Sequence, residues 1–170
     1  IFPVVALTHV FRQDTSGKCS RMIENAHGII APPDKKRKLR FANPEKPGED
    51  FYLLEKDDPR SILETIQMVV ETAVNDNHVP LESIAVLTPV HYGELGTANL
   101  NTVLQNKLNP STEKLHFRDM EFRLHDKVIH IENDYSLGVY NGEVGFIIEI
   151  GDTSDAALTV AYPRKTVVYP

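Results

Sequence analysis

The spacing of apolar and polar positions along the chain changes near residue 117. Before that point, apolar side chains recur at intervals of three and four, which puts them on one face of an amphipathic helix. This spacing predicts helices over residues 18–30, 61–74 and 99–108. Pro59 stands just upstream of the second segment, where a helix start tolerates proline.

Short apolar runs alternate with these helices, and we predict strands at residues 3–7, 51–54 and 84–87. The last run, Ile84-Ala85-Val86-Leu87, has no polar interruption, which suits a strand covered on both faces of a parallel sheet. Strands that alternate with helices indicate an α/β fold.

Beyond residue 117, short apolar runs are separated by turn residues. Four or five short strands within about fifty residues fit a small β-barrel. Asn141-Gly142 between two such runs predicts a hairpin with a type I′ turn, because both central positions of that turn need positive φ. The predicted strands cover residues 128–131, 139–140, 144–150, 158–162 and 166–169.

Composition excludes several classes of protein. The chain is 41% apolar and 25% charged, as in ordinary soluble proteins, and no run approaches the ~18 apolar residues of a membrane span. The single cysteine, Cys19, excludes an internal disulfide and fits a cytoplasmic protein. The seven histidines form no HExxH or HxH pair, so we expect no metal site in this chain.

The net charge of −6 is unusual for a general phosphate binder, which is normally basic. One dense basic cluster, residues 35–38 with Arg40, lies between Pro32-Pro33 and Asn43-Pro44. The flanking prolines predict a solvated loop rather than an ordered binding helix.

The chain contains no phosphate-binding loop of the form GxxxxGK[ST]. Gly17-Lys18 does not complete the pattern, because Cys19 replaces the hydroxyl residue and Arg12 replaces the first glycine. An acidic pair after a strand is also missing. We therefore expect this chain alone neither to hold a cofactor nor to hydrolyse ATP.

Four blocks of sequence, in order, cover nearly the whole chain: LTHVFRQ at 7–13, ENAHGI at 24–29, IAVLTPVHYGELGTANLNTVLQNKLNP at 84–110 and the β unit at 122–169. Together they resemble the second motor domain of RecD-like DNA helicases, the superfamily 1 family of the exodeoxyribonuclease V alpha subunit. The resemblance implies a partial RecA-like parallel-sheet domain over residues 1–115 and an inserted SH3-like β-barrel over residues 116–170.

The resemblance also implies an ATP-dependent helicase that moves 5′ to 3′ along single-stranded DNA. By resemblance, Arg12 is the catalytic arginine finger that stabilises charge on the transferred phosphoryl group, and Gln13 accompanies it at the nucleotide. ATP and Mg²⁺ belong to the complete protein, held by a first motor domain that precedes this chain.

Single-stranded DNA is expected to cross the end of the predicted strand at 84–87, where α/β sheets place ligand-binding loops. Aromatic rings there would stack on bases, while Lys and polar donors would contact the backbone. The candidates in the α/β part are Thr88, His91, Tyr92, Gly93, Asn99 and Asn101, and those in the barrel are Lys127, Asn133, Tyr135 and Tyr140. Asn141 and Asp126 are better explained by turns, and His125 stands where the family usually has Gly.

Several alternatives stay open on the sequence alone. The parent is a stand-alone helicase, a subunit that works with nuclease-complex partners, or the helicase domain of a conjugative relaxase. A different class is a non-catalytic module that binds nucleic acid or protein, which the missing phosphate loop favours for this chain by itself. The abrupt ends of the chain favour a piece of a longer protein.

Overall fold

The computed structural model describes residues 20–35, 37–42, 50–153 and 156–170. The chain divides into two compact units, unit 1 over residues 1–55 and unit 2 over residues 56–170. The predicted strand at residues 3–7 lies outside the described residues.

Unit 1 contains helix α1 (Arg21–Ile30), which confirms the predicted helix with a later start. Ser20 caps it, because its hydroxyl accepts a hydrogen bond from the Ile23 amide at 3.4 Å. A 3₁₀ turn follows at Pro33–Lys35.

The strand predicted at residues 51–54 is wrong, since these residues are irregular. The Ala42 amide donates to the Phe51 carbonyl at 2.6 Å, and the rings of Phe41 and Phe51 stack with centroids 5.6 Å apart. This single backbone contact with residues 37–42 does not extend into a ladder, which a strand requires.

Helices α2 (Pro59–Glu71) and α3 (Thr97–Leu108) of unit 2 confirm the other two predicted helices. Asp58 caps α2, and its carboxylate accepts from the Ser61 amide at 2.9 Å. A single π-helical turn (Thr72–Asp76) extends α2, and a 3₁₀ turn (Leu81–Ser83) follows it.

The apolar run at 84–87 does not form a strand, so its predicted place in a parallel sheet is wrong for the described structure. Leu87 is 92% exposed. A central parallel strand needs neighbours on both sides to bond its amides and carbonyls. Every strand pair among the described residues is antiparallel and lies after residue 113.

Two antiparallel sheets make up the β part of unit 2. Strands β1 (Lys114–Phe117) and β2 (Met120–Arg123) form a hairpin, and the other four strands form a meander in the order β3-β4-β5-β6. These small antiparallel sheets agree with the predicted SH3-like unit. The strands of the meander are β3 (Lys127–Ile129), β4 (Val144–Thr153), β5 (Ala156–Tyr162) and β6 (Lys165–Tyr169).

The core of this unit lies under the meander. Its fully or nearly fully buried side chains alternate along the strands, which is the period-two pattern of a sheet with one covered face. Gly145 lets β4 and β5 approach, because a Cβ there would lie 2.6 Å from Val160 Cγ1. The core residues are Val139, Ile147, Val160, Tyr162 and Val167.

Two details of the predicted barrel are wrong. The four-stranded sheet is open, because β3 and β6 do not pair with each other among the described residues. The Asn141-Gly142 turn is not type I′: the Glu143 amide donates to the Tyr140 carbonyl at 3.0 Å, but only Gly142 has positive φ. One positive φ at the third position is the pattern of a type II turn, which lies here within the β3–β4 connection.

Candidate functional site

The segment 88–97, between the apolar run and α3, forms a loop that is closed by its own hydrogen bonds. The Thr88 hydroxyl donates to the Leu95 carbonyl at 2.7 Å, and His91 Nδ1 lies 2.6 Å from Thr97 Oγ1. Gly96 is required where the loop meets α3, since a Cβ there would lie 2.5 Å from the His91 carbonyl oxygen. The loop therefore has a defined shape although most of it is exposed.

The candidates on this loop differ in what they present to solvent. His91 and Tyr92 are exposed, with ring centroids 4.7 Å apart, and Gly93 adopts a φ of 91°. Asn99 instead stabilises the loop, because its side-chain Nδ2 donates a hydrogen bond to the Glu94 carbonyl at 2.7 Å. Asn101 is exposed on α3.

A second exposed surface lies on the connection between β3 and β4, residues 130–143. The Asp134 and Val139 backbones bond each other at 2.8 and 2.9 Å, and Asn133 Oδ1 accepts from the Asn141 amide at 2.9 Å. The Val139 side chain is fully buried in the core. Hydrogen bonds from the Ser136 hydroxyl and the Leu137 amide hold the pKa of Asp134 below its usual value.

This ordered connection presents two tyrosines. Tyr135 is 78% exposed and Tyr140 is 50% exposed, and their rings meet edge to face with centroids 6.2 Å apart. Ile131 beside them on the connection is also largely exposed. We use the name tyrosine pair for Tyr135 and Tyr140.

Lys127 does not face open solvent with the tyrosine pair. Its ammonium donates to the carbonyls of Leu81 (3.0 Å) and Ile84 (2.6 Å). Two of its three N–H groups are therefore used within unit 2, which gives Lys127 a structural role in this conformation.

Asp126 joins the end of α3 to the β unit through hydrogen bonds that were not predicted from the sequence. Asp126 Oδ2 accepts from Gln105 Nε2 at 2.6 Å and from the Arg123 amide at 2.7 Å, while Oδ1 accepts from Asn109 Nδ2 at 2.8 Å. The predicted turn role of Asp126 is confirmed by the bond from its own amide to the Arg123 carbonyl at 3.0 Å. For the other hydrogen bonds of Asp126, the only signal in the sequence was the polar character of residues in α3.

His125, in the same turn, has a φ of 73°. The left-handed conformation that glycine adopts without strain is thus kept here by a histidine. The His125 amide donates to the Ile147 carbonyl at 2.8 Å, which ties the turn to β4.

A cluster of charges covers β1 and β2. Lys114 Nζ lies 2.8 Å from Glu121, and Arg123 Nη2 lies 2.7 Å from it. Hydrogen bonds from these two side chains lower the pKa of Glu121 to about 2. Arg123 Nη1 also donates to the Asn109 carbonyl at 3.1 Å, which places a cation at the C-terminus of α3.

A chain of three rings lies at the edge of the core. The hydroxyls of Tyr162 and Tyr169 are 2.8 Å apart, and Tyr169 Oη lies 3.2 Å from His130 Nδ1. Burial, followed by the bond to Tyr169, raises the pKa of Tyr162 well above its usual value. This network satisfies polar groups in the core and offers no free nucleophile.

The two exposed surfaces are not joined to each other by any hydrogen bond or ring contact of the described residues. Arg12 and Gln13 lie outside the described residues. Across the part of the chain that the structure describes, no group of three or more His, Cys, Asp or Glu side chains forms a possible metal site, and no helix is long and apolar enough to cross a membrane.

Two comparisons with known proteins bear on this arrangement. Residues 100–162 match the family model described as the SH3 domain of ATP-dependent RecD-like DNA helicases. The chain is also 28% identical, over 170 residues, to the ATP-dependent RecD2 DNA helicase of Deinococcus radiodurans. That alignment covers 97% of this chain and 20% of the relative, so the chain spans about a fifth of the length of the curated relative it matches.

Proposed function

We propose, on the premise that this chain resembles the RecD-like DNA helicases and carries their SH3 domain, that it is part of an ATP-dependent helicase that moves along single-stranded DNA. The matched segment includes the second part of α3, both strands of the β1–β2 hairpin and the meander as far as β5. In the complete protein, a first motor domain would hold ATP and Mg²⁺, and residues 1–115 would form part of a second, RecA-like motor domain.

The observation that carries the DNA contact is the tyrosine pair. Each exposed phenol ring offers an apolar face on which a base can stack, and such stacking contributes about 1–3 kcal/mol per base without demanding a particular sequence. The exposed His91 and Tyr92 supply a second set of rings on the loop at 88–97. A strand that contacts both surfaces would be held through its bases as well as its phosphates.

Arg12 is proposed as the arginine finger. A guanidinium stabilises the charge that spreads over the transferred phosphoryl oxygens, and this effect changes turnover by about 10³-fold or more in comparable enzymes. Gln13, the next residue, is proposed to contact the same nucleotide. This chain contributes no phosphate loop, so its share of the reaction is to sense the nucleotide and to hold the DNA.

The first test is the ATPase activity of the full-length protein with and without single-stranded DNA, beside its Arg12→Ala variant. We expect DNA to stimulate turnover and Arg12→Ala to lower it by about 10³-fold. A loss below about tenfold would remove Arg12 from the reaction. A folded full-length protein without ATPase activity would reject the motor and favour a non-catalytic binding module.

The second test addresses the tyrosine pair by fluorescence anisotropy with a labelled single strand. Tyr135→Ala with Tyr140→Ala should weaken binding by about tenfold or more, since the loss of one stacked base corresponds to about 1–3 kcal/mol. Tyr52→Ala, which removes a half-exposed tyrosine from unit 1, is the matched control and should leave the affinity unchanged. Equal affinities of the double variant and the control would contradict the stacking role.

A further inference from the structure

Unit 1 carries a short stretch of positive charge on an otherwise acidic chain. Residues 35–40, here named the basic segment, contain five Lys or Arg residues, whereas the whole chain has a net charge of −6. The side chains that the structure describes there, Lys35, Arg37, Lys38 and Arg40, are all exposed.

The backbone at the C-terminal end of this segment is fixed against helix α1. Asn25, only 5% exposed, donates from Nδ2 to the Arg40 carbonyl at 2.8 Å and accepts from the Arg40 amide through Oδ1 at 2.9 Å. The Asn25 side chain thus bonds both the amide and the carbonyl of Arg40, as the backbone of a neighbouring strand would. The expected solvated loop is thus exposed, but it is held in place.

Two further contacts define the path of the segment. The Lys35 amide donates to the Pro32 carbonyl at 2.8 Å, which closes the 3₁₀ turn at its start. At Gly28 of α1, a Cβ would lie 3.9 Å from Arg37 Cβ, so the segment passes close to the helix. The described contacts therefore hold Lys35, Arg37 and Arg40 near helix α1 or the turn that follows it.

Most of these positive charges have no carboxylate partner in the part of the chain that the structure describes. Arg40 lies 3.8 Å from Glu24; the Arg40 side chain is exposed and that of Glu24 is partly exposed. Within the described residues, no carboxylate oxygen comes within 4 Å of the charged groups of Lys35, Arg37 or Lys38. These three cations have no carboxylate partner among the described residues, and they repel one another, which an approaching polyanion would relieve.

We propose that the basic segment binds the phosphate backbone of a nucleic acid, at a site separate from the tyrosine pair of unit 2. From Arg37 to Arg40, an extended chain spans at most about 10 Å, comparable with three steps of about 3.4 Å along one DNA strand. Lysine is depleted at protein–protein interfaces, whereas phosphate contacts depend on Lys and Arg. The segment reads no sequence, because its charges contact the backbone and not the base edges.

The test is the salt dependence of DNA binding by the full-length protein, without ATP. The variant Lys35→Gln/Arg37→Gln/Lys38→Gln is compared with the unaltered protein by anisotropy, with a labelled single strand and a labelled duplex. Each lost phosphate contact should reduce the slope of log K against log salt concentration by about 0.7 for a single strand or about 0.9 for a duplex. We expect a total reduction of about two to three, with the reduction larger for the form of DNA that the segment contacts.

The matched control is Lys56→Gln/Arg60→Gln/Arg164→Gln, which removes the same charge from exposed positions of unit 2. A slope that falls in the segment variant and stays unchanged in the control supports the site. An unchanged slope in the segment variant, or an equal fall in both variants, overturns it. Circular dichroism checks that each variant is folded, and Lys35→Arg/Lys38→Arg should keep the original slope.

This inference depends on the proposed function only for the choice of DNA as the polyanion. Loss of the tyrosine pair would lower affinity at every salt concentration and leave the slope nearly constant, because stacking releases no counterions. Absence of ATPase activity would reject the motor but would leave a slope change at residues 35–38 intact. The two proposals can therefore fail separately.

Discussion

The hydrogen bonds of Asp126 give the sharpest prediction for the stability of unit 2. Its half-buried carboxylate accepts from Gln105, Asn109 and the Arg123 amide at 2.6–2.8 Å. Bonds to a charged group contribute about 1.5–3 kcal/mol each, and the lower end applies to a partly solvated site. We expect Asp126→Ala to reduce the free energy of unfolding by about 3 kcal/mol, since Gln105 and Asn109 would each lose one acceptor and keep only their bonds to the carbonyls of Glu121 and Leu124.

The substitution Asp126→Asn removes the charge of the side chain and keeps its shape. The substituted amide keeps one acceptor oxygen but turns an NH₂ group toward the donors of Gln105 or Asn109, so about 2 kcal/mol should be lost. Asp119→Asn, the same substitution at an exposed turn, is the control and should change stability by less than about 0.5 kcal/mol.

Urea unfolding followed by tyrosine fluorescence measures these changes, because the chain has no tryptophan and five of its six tyrosines lie in unit 2. In a thermal scan, the loss for Asp126→Ala corresponds to about 6–12 °C for a chain of this size. A loss no larger than that of the Asp119 control would refute the reasoning and show that the bonds of Asp126 do not stabilise the junction of α3 with the β unit.

Three further changes test other features of the β unit. His125→Gly should raise the free energy of unfolding by about 0.5–1 kcal/mol in urea titrations, because glycine adopts positive φ without strain; a clear loss would contradict the strain. Gly145→Ala should lower it by about 1–3 kcal/mol, since the new methyl group would meet Val160, and an unchanged midpoint would contradict that clash. Glu121 has a pKa lowered to about 2 in the folded protein, so its ion pairs contribute stability above its usual pKa near 4.5, and this is lost as the pH falls toward 2. In acid titrations Glu121→Gln should flatten this part of the stability profile, and an identical profile would show that other carboxylates determine it.

Periodicity predicted the helices well because each one has an apolar stripe that is visible in a short window. Pro59 also marked the start of α2 correctly. The β1–β2 hairpin was invisible for the opposite reason: Arg118 adopts a φ of 55° at its turn, where glycine is the usual signal. For the positive φ of His125, the one signal was the resemblance, because the family usually has Gly at that position.

The apolar run at 84–87 shows that a short local pattern is not enough to predict a strand. Its side chains suit a central strand, but strand formation depends on partners elsewhere in the chain, which a window of four residues cannot reveal. The Asn141-Gly142 signal was correct in marking a turn and wrong in its type, since the turn joins parts of a connection and not two paired strands.

In the candidate site, too, local features could be predicted from the sequence and contacts between distant residues could not. Exposed aromatic residues at 92, 135 and 140 were predictable by type and position in turns. The bonds of Lys127 to Leu81 and Ile84 were not, because they join residues more than forty positions apart. The roles of Arg12 and Gln13, the boundary at residues 115–116 and the DNA contacts stay predictions.

The hydrogen bonds within the connection at residues 130–143 affect the rates at which a ligand binds and dissociates. Ordering a flexible backbone costs roughly 1–2 kcal/mol per residue, which a disordered loop would lose at each binding event. Here Val139 and the backbone bonds of Asp134 have already imposed that order. A ligand can therefore bind to this surface and leave it without any refolding of the backbone.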